Sequence, residues 1–493
     1  MNIHLSTLGL DFERIVKEAI QRHQPVANTG VGVAVLRNGE LAYAGGFGFR
    51  NRATQAPVDA CTLFPIGSAT KAFTSTVLSI FAENKEFSLD EPIKQFVPSF
   101  EMADPLATGE ATLIDVLCQK TGLAPHNCLW YLGPFTRAEL FFRLRYLPFA
   151  SPFRSEYIYN NLTYMVAGHL LEIKLGLSYD EIVQTNILDV LEMTQTNLSF
   201  EALLNSPNGV LGYKGEELLP LKDFTNISPA GAINSTALDM AKWVQLYLRK
   251  GVTGGGKVVI GRDALARTYQ PFSNPGDGTK YGLGWNIGKA TVTTPGGPQE
   301  KRLIFHTGDP QGGSAYVSFM PDDGLGVVVL TNQHCTDELL RRKWPDKIAT
   351  DIYDHLLHDT LSGQVELTSC APSGALSLPC EPPSPVAPAK EAEDAISAPP
   401  PLALESFTGM FSNPGYGDFV VSPNGAKLSI NYYGQSWDFD RVGATTFLFV
   451  VPAFGTNFPV LVEYFRDPNG AIAGLSAQIV LQPRLMMIPF TKR

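Results

Sequence analysis

A serine and a lysine stand three residues apart in the stretch GSATKAFTS, residues 67–75. Apolar residues recur at helical spacing from Ala69 to Ile80, which predicts a helix that begins near Ser68. Residues i and i+3 are neighbours on a helix, so the Lys71 amine would lie beside the Ser68 hydroxyl. If burial keeps water from the amine, its pKa falls and it can take the serine proton. The pair predicts a nucleophile with its base, although Ser-x-x-Lys also arises by coincidence.

The free N–H groups of a helical first turn would add a second element of chemistry. Backbone donors and the positive end of the helix dipole favour an oxyanion that develops near them. A serine in that turn therefore lies where a tetrahedral intermediate would be stabilised.

A tyrosine and an asparagine form a second candidate group in SEYIYNNLTYMVAGHLLE, residues 155–172. Tyr159 and Asn161 are two apart, ahead of an apolar helical run, and in an extended loop such residues point to the same side. A phenol near two cations could ionise and relay protons, and an amide could hold a substrate carbonyl. The alternative is that these are ordinary loop residues that cap the next helix.

A histidine ends a predicted strand in LIFHTGDPQGGSAYVSF, residues 303–319. His306 is followed by Thr307 and Gly308, and a glycine there lets a substrate backbone approach the strand edge. The alternative is a surface histidine followed by a plain loop. The triplet Lys120-Thr121-Gly122 has similar letters but follows a helical run, so we interpret it as structural.

The elements that must position these residues come from both ends of one region. Asn38-Gly39 lies between two β-rich runs and predicts a hairpin, after a helix over residues 11–23. The chain is then mainly helical from residue 68 to about 243. Strands return near residue 301, with a turn at Pro321–Gly324, and a helix follows at 337–357. The pattern predicts an α/β fold in which an antiparallel sheet is built from both ends and a helical lobe is inserted.

Composition divides the chain of 493 residues into three parts. Residues 1–361 are predicted to form the first domain, and residues 362–402, rich in Pro, Ala and Ser, read as a linker. Short alternating runs at 403–493 predict a small antiparallel barrel or sandwich. The aromatic stretch CLWYLGPF, residues 128–135, either lines a cleft or belongs to the core of the lobe.

Charge and cysteine usage exclude several classes of protein. The formal charge of −10 argues against nucleic acid or an anionic membrane as the main partner. We see neither a secretory signal nor an apolar run long enough to span a membrane. The six cysteines are scattered without a CxxC pair, so we expect a cytoplasmic protein. His355 and His358 lack a third ligand, so neither a metal nor a cofactor is expected.

Taken in chain order, Ser-x-x-Lys, Tyr-x-Asn and a Lys- or His-Thr-Gly strand resemble the signature of the penicillin-recognising serine hydrolases. The chain is most similar to class C β-lactamases and their relatives, which are DD-peptidases, D-aminopeptidases, esterases and acyltransferases. The resemblance covers about residues 15–358, and the end of the chain resembles the lipocalin-like domain of many of these hydrolases. Other stretches that carry it are TLFPIGSATKAFTS, FRSEYIYNNLTYMVAGHLLE, SPAGAINSTALDMAKW and YGLGWNIG.

The resemblance implies a catalytic role for four residues. Ser68 would attack a carbonyl and become acylated, while Lys71 and Tyr159 share its proton and pass it to the leaving group. His306 would stand where relatives have a lysine and feed the same proton network.

The resemblance also implies a substrate-binding set. The backbone N–H groups of Ser68 and Asp309 would form the oxyanion hole, and Asn161 would hold an acyl-side amide or carbonyl. Thr307 and Gly308 would lie on the strand along which the substrate binds.

Two departures from the family bear on the substrate. His306 replaces a fixed positive charge and Asp309 adds a potential negative one, so we expect neutral or amine-bearing acyl substrates over carboxylates. The main hypothesis is a serine hydrolase acting on esters, amides or peptides, including peptides with D-residues. An acyltransferase or cyclase is the first alternative, and a non-catalytic scaffold is the second. The expected partner is a small-molecule or peptide acyl substrate, and a homo-oligomer stays open.

Overall fold

The central sheet joins strands from the two ends of the first domain. In this computed structural model, which describes residues 3–4, 11–294, 297–334, 344–359, 402–453, 456–480 and 486–493, the sheet has eight strands. They are β1 (Ile3–His4), β2 (Val31–Arg37), β3 (Glu40–Phe47), β4 (Lys280–Tyr281), β5 (Asn286–Thr294), β6 (Gly297–Gly308), β7 (Ser314–Met320) and β8 (Leu325–Thr331). Their order is β1-β3-β2-β8-β7-β6-β5-β4, and every neighbouring pair is antiparallel.

Two predicted turns set this topology. Asn38 and Gly39 close the β2–β3 hairpin with φ of 55° and 73°, the left-handed conformation that tight hairpin turns need. Residues 321–324 close the β7–β8 hairpin, so β8 returns to lie beside β2, with Thr331 opposite Val31. The predicted fold class, an antiparallel sheet built from both ends, is confirmed.

Helices fill the long insertion between β3 and β4 and cover both faces of the sheet. The helices are α1 (Phe12–His23), α2 (Thr70–Glu83), α3 (Ile93–Phe96), α4 (Pro105–Glu110), α5 (Leu113–Leu117), α6 (Asn127–Leu132), α7 (Arg137–Arg143), α8 (Asn161–Leu175), α9 (Tyr179–Val183), α10 (Phe200–Asn205), α11 (Ser228–Gly231), α12 (Ala237–Leu248), α13 (Arg262–Thr268) and α14 (Trp344–Asp359). The predicted first helix is confirmed as α1, capped by the Asp11 side chain. Of the predicted helix at 337–357, residues 344–357 lie in α14, and the rest fall outside the described residues.

Each inner strand of the sheet contributes to two cores. Val31, Val33 and Val35 of β2 pack with α1 and α14, whereas Ala34 and Leu36 face the core that contains α2 and α12. Because both faces are covered, these strands read as continuous apolar runs and do not alternate with polar residues.

The C-terminal residues form a closed barrel of eight antiparallel strands. The strands are β9 (Gly409–Asn413), β10 (Gly417–Asn424), β11 (Lys427–Tyr432), β12 (Gln435–Arg441), β13 (Thr446–Ala453), β14 (Thr456–Arg466), β15 (Ile472–Val480) and β16 (Met486–Lys492). Alternate side chains fill the interior, as Leu428, Ile430 and Tyr432 of β11 do. The predicted barrel is confirmed, while the predicted linker lies outside the described residues except for residue 402.

Candidate active site

Ser68 lies in a 3-10 turn, Gly67–Ala69, that leads directly into α2. The helix therefore begins two residues after the predicted start. Residues 70–80 of α2 are all buried, so the helix is a rigid support in the middle of the lobe. Gly67 has φ of 52°, a conformation that suits glycine where the chain turns into the helix.

The Lys71 amine is fully buried beside the Ser68 hydroxyl. Its Nζ lies 3.1 Å from Ser68 Oγ, 2.7 Å from Asn161 Oδ1 and 2.9 Å from the Ala230 carbonyl oxygen. Within the part of the chain that the structure describes, no carboxylate forms an ion pair with this amine. Burial lowers the pKa of the Lys71 ammonium well below its ordinary value, because water no longer stabilises the charge.

The three oxygen contacts can accommodate the neutral form of this amine, which burial favours. A neutral amine carries two N–H donors and one lone pair. The Asn161 amide oxygen and the Ala230 carbonyl oxygen can only accept, so they take the two N–H groups. The lone pair then faces the Ser68 hydroxyl, and the geometry allows Lys71 to accept the serine proton.

Tyr159 approaches the same hydroxyl from the loop before α8. Its phenol donates a hydrogen bond of 2.7 Å to Ser68 Oγ, although 36% of the residue is exposed. Burial of the hydroxyl end raises the pKa of this phenol, an effect that the Ser68 hydrogen bond opposes and the Asp309 charge reinforces. Burial therefore favours the protonated phenol, and its ionisation in a proton relay stays a prediction.

Asn161 is the first residue of α8 and not part of an extended loop, which corrects the predicted local structure. Asn160 is the N-cap, and its side chain accepts from the Leu162 N–H at 2.9 Å. Tyr159 and Asn161 nevertheless reach the same site, with the phenol on Ser68 and the amide oxygen on Lys71.

His306 lies near the end of β6, and 2% of it is exposed, so it is not a surface histidine. Its Nδ1 donates to the Thr307 carbonyl oxygen at 2.6 Å, because a carbonyl can only accept. In the neutral ring, Nε2 then accepts from the Tyr281 hydroxyl at 3.2 Å. The Tyr281 ring packs edge-on against the His306 ring, and Tyr164, which interacts electrostatically with Tyr281, has its ring centre 5.4 Å from the Lys71 amine. The histidine thus belongs to an aromatic cluster beside Lys71.

The end of β6 is pressed against the turn that carries Ser68. A Cβ built on Gly308 would lie 1.8 Å from the Ile66 carbonyl oxygen, which no side chain tolerates. A Cβ built on Gly67 would lie 2.9 Å from the Asp309 amide nitrogen. The backbone of Asp309 is therefore adjacent to the Ser68 turn, while its side chain is exposed and Thr307 is half-buried.

Several residues that hold the site were not predicted from the sequence. The Ala230 carbonyl belongs to the backbone of α11 and carries no sequence signal. Gln119 accepts the Asn160 N–H through Oε1 at 2.9 Å, just before the Lys120–Gly122 triplet. That triplet follows α5 and lies on no strand, as predicted.

Most of the aromatic stretch at 128–135 belongs to the core of the lobe, and its predicted role in lining a cleft stays a prediction. Leu129, Trp130 and Phe135 are buried in the lobe. Tyr131 is buried too, but its hydroxyl donates to Gln311 Oε1 in the loop that follows Asp309. The stretch therefore joins the core of the lobe to the edge of the site.

The family model for β-lactamases matches residues 12–350, more than half of the chain. The chain belongs to the β-lactamase family. This family is of the serine hydrolase type, in agreement with the resemblance seen in the sequence. Among the described residues, no helix is long and apolar enough to cross a membrane.

Three similar proteins can be compared with the chain, and two of them match along nearly its whole length. An unguisins hydrolase of Aspergillus violaceofuscus is 27% identical over 521 aligned positions, which cover 93% of this chain and 86% of that protein. The octameric penicillin-binding protein homologue of Pyrococcus abyssi has a TM-score of 0.58 at 18% identity, covering 97% of this chain and all of that one. A class C β-lactamase of Rhodobacter sphaeroides has a TM-score of 0.57 at 24% identity, covering 70% and 99%. The two structures show the same fold.

Proposed function

We propose that this protein is a serine hydrolase that forms an acyl-enzyme on Ser68. The observation that carries the proposal is the Lys71 amine, which is buried 3.1 Å from the Ser68 hydroxyl with no counter-ion among the described residues. A neutral amine at that distance is a general base aimed at a nucleophile. A scaffold protein would not need to retain so costly an arrangement.

In the proposed acylation step, Ser68 Oγ forms a bond to the carbonyl carbon of an ester or amide, and its proton moves to Lys71 Nζ. The tetrahedral intermediate then breaks the bond to the leaving alcohol or amine. Tyr159 donates its phenol proton to that leaving group, and the Lys71 ammonium, which lies 4.8 Å from the centre of the Tyr159 ring, returns its proton to the phenolate. Water completes the cycle by attacking the acyl-enzyme, with the same groups moving the proton in reverse.

The proposed oxyanion hole consists of the Ser68 and Asp309 backbone N–H groups. The contact between the end of β6 and the Ser68 turn supports it, because it brings these two backbone segments together. Two fixed donors at this position would stabilise the negative charge of the intermediate without reorganisation. His306, held by Tyr281 and by the Thr307 carbonyl, would keep the strand end in place.

We propose that the acyl part of the substrate is neutral or amine-bearing. His306 is buried, and the exposed Asp309 side chain stands at the strand end. A pocket next to this strand end is lined in part by Phe200, Leu203 and Phe224. Lys222 and Asp223 line the same pocket with opposite charges, so the preference for an apolar acyl group rests on the apolar side chains and on the exposed Asp309.

Hydrolysis is favoured over acyl transfer by one relative, the protein named unguisins hydrolase, which matches along nearly the whole chain. Transfer to an alcohol or amine would use the same acyl-enzyme. The ratio of hydrolysis product to transfer product, measured with and without an added acceptor, distinguishes the two.

The test is an activity screen with matched substrates. Purified wild type and Ser68→Ala are assayed with p-nitrophenyl esters, with D- and L-amino acid amides, and with the corresponding free-acid analogues. We expect turnover of the neutral or amine-bearing substrates by wild type, and a loss on the order of a million-fold in the variant. Better use of the acids would overturn the proposed substrate class, and equal rates in the variant would overturn the mechanism.

A further inference from the structure

A turn of the barrel is inserted into the helical lobe. Tyr416, between β9 and β10, is 1% exposed, and its hydroxyl lies 2.5 Å from Nδ1 of His126, which is fully buried. Arg143 of α7 donates to the carbonyl oxygens of Gly415 and Pro414 at 2.9 and 3.3 Å. The lobe and the barrel are therefore joined by a buried hydrogen bond that is flanked by a charged one.

The direction of the Tyr416–His126 hydrogen bond follows from the other ring nitrogen. His126 Nε2 is 2.9 Å from the Pro148 carbonyl oxygen, which can only accept, so Nε2 carries the proton. Nδ1 is then an acceptor, and the Tyr416 hydroxyl donates to it. His126 also has φ of 45°, a left-handed conformation that a non-glycine residue keeps only where its surroundings impose it.

Residues 119–126, which end at His126, contact the loop that carries Tyr159 in front of α8. We call these residues the support segment. Asn160 Nδ2 donates to the Leu123 and Ala124 carbonyl oxygens, both at 3.0 Å. The Asn160 N–H bonds Gln119 Oε1 at the other end of the same segment. Asn160 lies between Tyr159 and Asn161 in the chain, so its bonds to the support segment fix the backbone positions of both neighbours.

We propose that the C-terminal barrel is a positioning part of the active site, in which Tyr416 holds His126 and, through the support segment and Asn160, aligns Tyr159 and Asn161 with Ser68 and Lys71. This inference rests on the proposed function. Tyr416 is a positioning residue, because it touches none of the reacting atoms. A loss of alignment slows the chemical step more than it weakens substrate binding.

The first experiment compares two Tyr→Phe variants of the barrel in the full-length protein. Tyr416→Phe removes the hydroxyl that bonds His126. Tyr464→Phe removes a buried hydroxyl that makes no hydrogen bond within the described residues, so it is the matched control. For an ester substrate, we expect kcat to fall about ten-fold in Tyr416→Phe, with KM changed less than about two-fold and Tyr464→Phe unchanged. Equal kcat in the two variants, per folded molecule by circular dichroism, overturns the inference.

A mutant cycle tests the route through Asn160. Asn160→Ser keeps a residue that caps α8 but loses the two side-chain bonds to the support segment, while the backbone bond to Gln119 remains. If the barrel acts through Asn160, Tyr416→Phe changes kcat less than about two-fold in the Asn160→Ser background. A full ten-fold further loss shows independent effects and overturns the proposed route.

A second variant covers the case in which Tyr416→Phe does not fold. Arg143→Gln loosens the same barrel turn at its edge, and we expect a smaller fall in kcat with KM unchanged. An unchanged kcat in Arg143→Gln then counts against the inference.

Labelling of Ser68 by a fluorophosphonate in the wild type is the separate check. If the wild type is labelled and active but neither Tyr416→Phe nor Arg143→Gln differs from Tyr464→Phe, only the positioning role fails. If the wild type is not labelled, the proposed function fails and the inference fails with it.

Discussion

Among the described residues, no carboxylate balances the charge of the Lys71 ammonium, which is buried away from water. Burial of that kind is costly for an ammonium, so it lowers the pKa of the group and favours the neutral amine. Ser68 gains a base in return, and the Asn161 and Ala230 oxygens orient it. The activation of Ser68 therefore depends on the lone pair of the buried Lys71 amine.

The pH dependence of kcat/KM should report the ionisation of Lys71. Below the pKa of Lys71 the amine is protonated and cannot act as a base, so activity rises with pH through that pKa, which lies well below the ordinary lysine value. Lys71→Arg keeps a cation that does not deprotonate, so we expect a loss of about a hundred- to ten-thousand-fold that higher pH does not rescue. The exposed Lys174→Arg is the control and should keep the wild-type profile. An acid limb that persists in Lys71→Arg would point to another base.

Tyr159→Phe should separate substrates by their leaving group. An amine leaves only with a proton, whereas p-nitrophenolate leaves without one. Because the Tyr159 phenol is protonated and bonds Ser68 Oγ, we expect amide hydrolysis to fall at least about a hundred-fold and p-nitrophenyl ester hydrolysis to fall less. The exposed Tyr146→Phe is the control. Equal losses for both substrates would argue that Tyr159 aligns Ser68 and does not protonate the leaving group.

Three elements converge to form the site: the 3-10 turn before α2, the start of α8 and the end of β6. Their arrangement depends on close backbone contact more than on side chains. β6 contacts the Ser68 turn at Gly308, and the space between them is too small for a methyl group.

Gly308→Ala should therefore damage activity. The added Cβ would overlap the Ile66 carbonyl oxygen and push the strand end away from Ser68. A displacement of about 1 Å can cost about a hundred-fold in rate, and we expect a loss of kcat/KM of at least that size. Gly109→Ala is the matched control, because nothing lies within 4 Å of its added Cβ. Activity in Gly308→Ala close to that of Gly109→Ala would contradict the proposed contact.

Patterns local in sequence predicted the elements and the main site residues. Asn38-Gly39 specified its hairpin, and Ser68 and Lys71 are neighbours because helical spacing makes them so. Contacts between distant segments had no such signal. The Tyr416–His126 bond spans 290 positions. The Ala230 contact uses a carbonyl that every residue has. The raised pKa of Tyr159 depends on burial, which only the folded structure reveals.

On the scale of the whole molecule, the barrel and the helical lobe share a buried interface. Its central residue, His126, is enclosed by the barrel turn on one side and the Pro148 carbonyl on the other. Burial lowers the pKa of His126 to about 4, so the interface is built for a neutral imidazole. Assembly of the whole chain into a homo-oligomer stays a prediction.

Stability should fall with acidification because of His126. The ordinary pKa of histidine is 6.5, and that of His126 in the folded protein is about 4. Between these two pH values His126 is protonated in the unfolded chain but neutral in the folded protein. Folding therefore loses roughly 3 kcal/mol as the pH falls through this window, with no further loss from this group below it. His126→Asn removes the titration, so its melting temperature should fall less than that of wild type between pH 7 and pH 5. Parallel pH dependence in the two proteins would show that His126 carries no such linkage.

The most direct test of the whole account is the mass of the protein after reaction with a fluorophosphonate, followed by peptide mapping of the adduct. We expect one covalent adduct per chain, located on Ser68, absent from Ser68→Ala and formed much more slowly in Lys71→Arg. An adduct on another residue, or one that forms equally fast in Lys71→Arg, would contradict the claim that a neutral Lys71 activates Ser68.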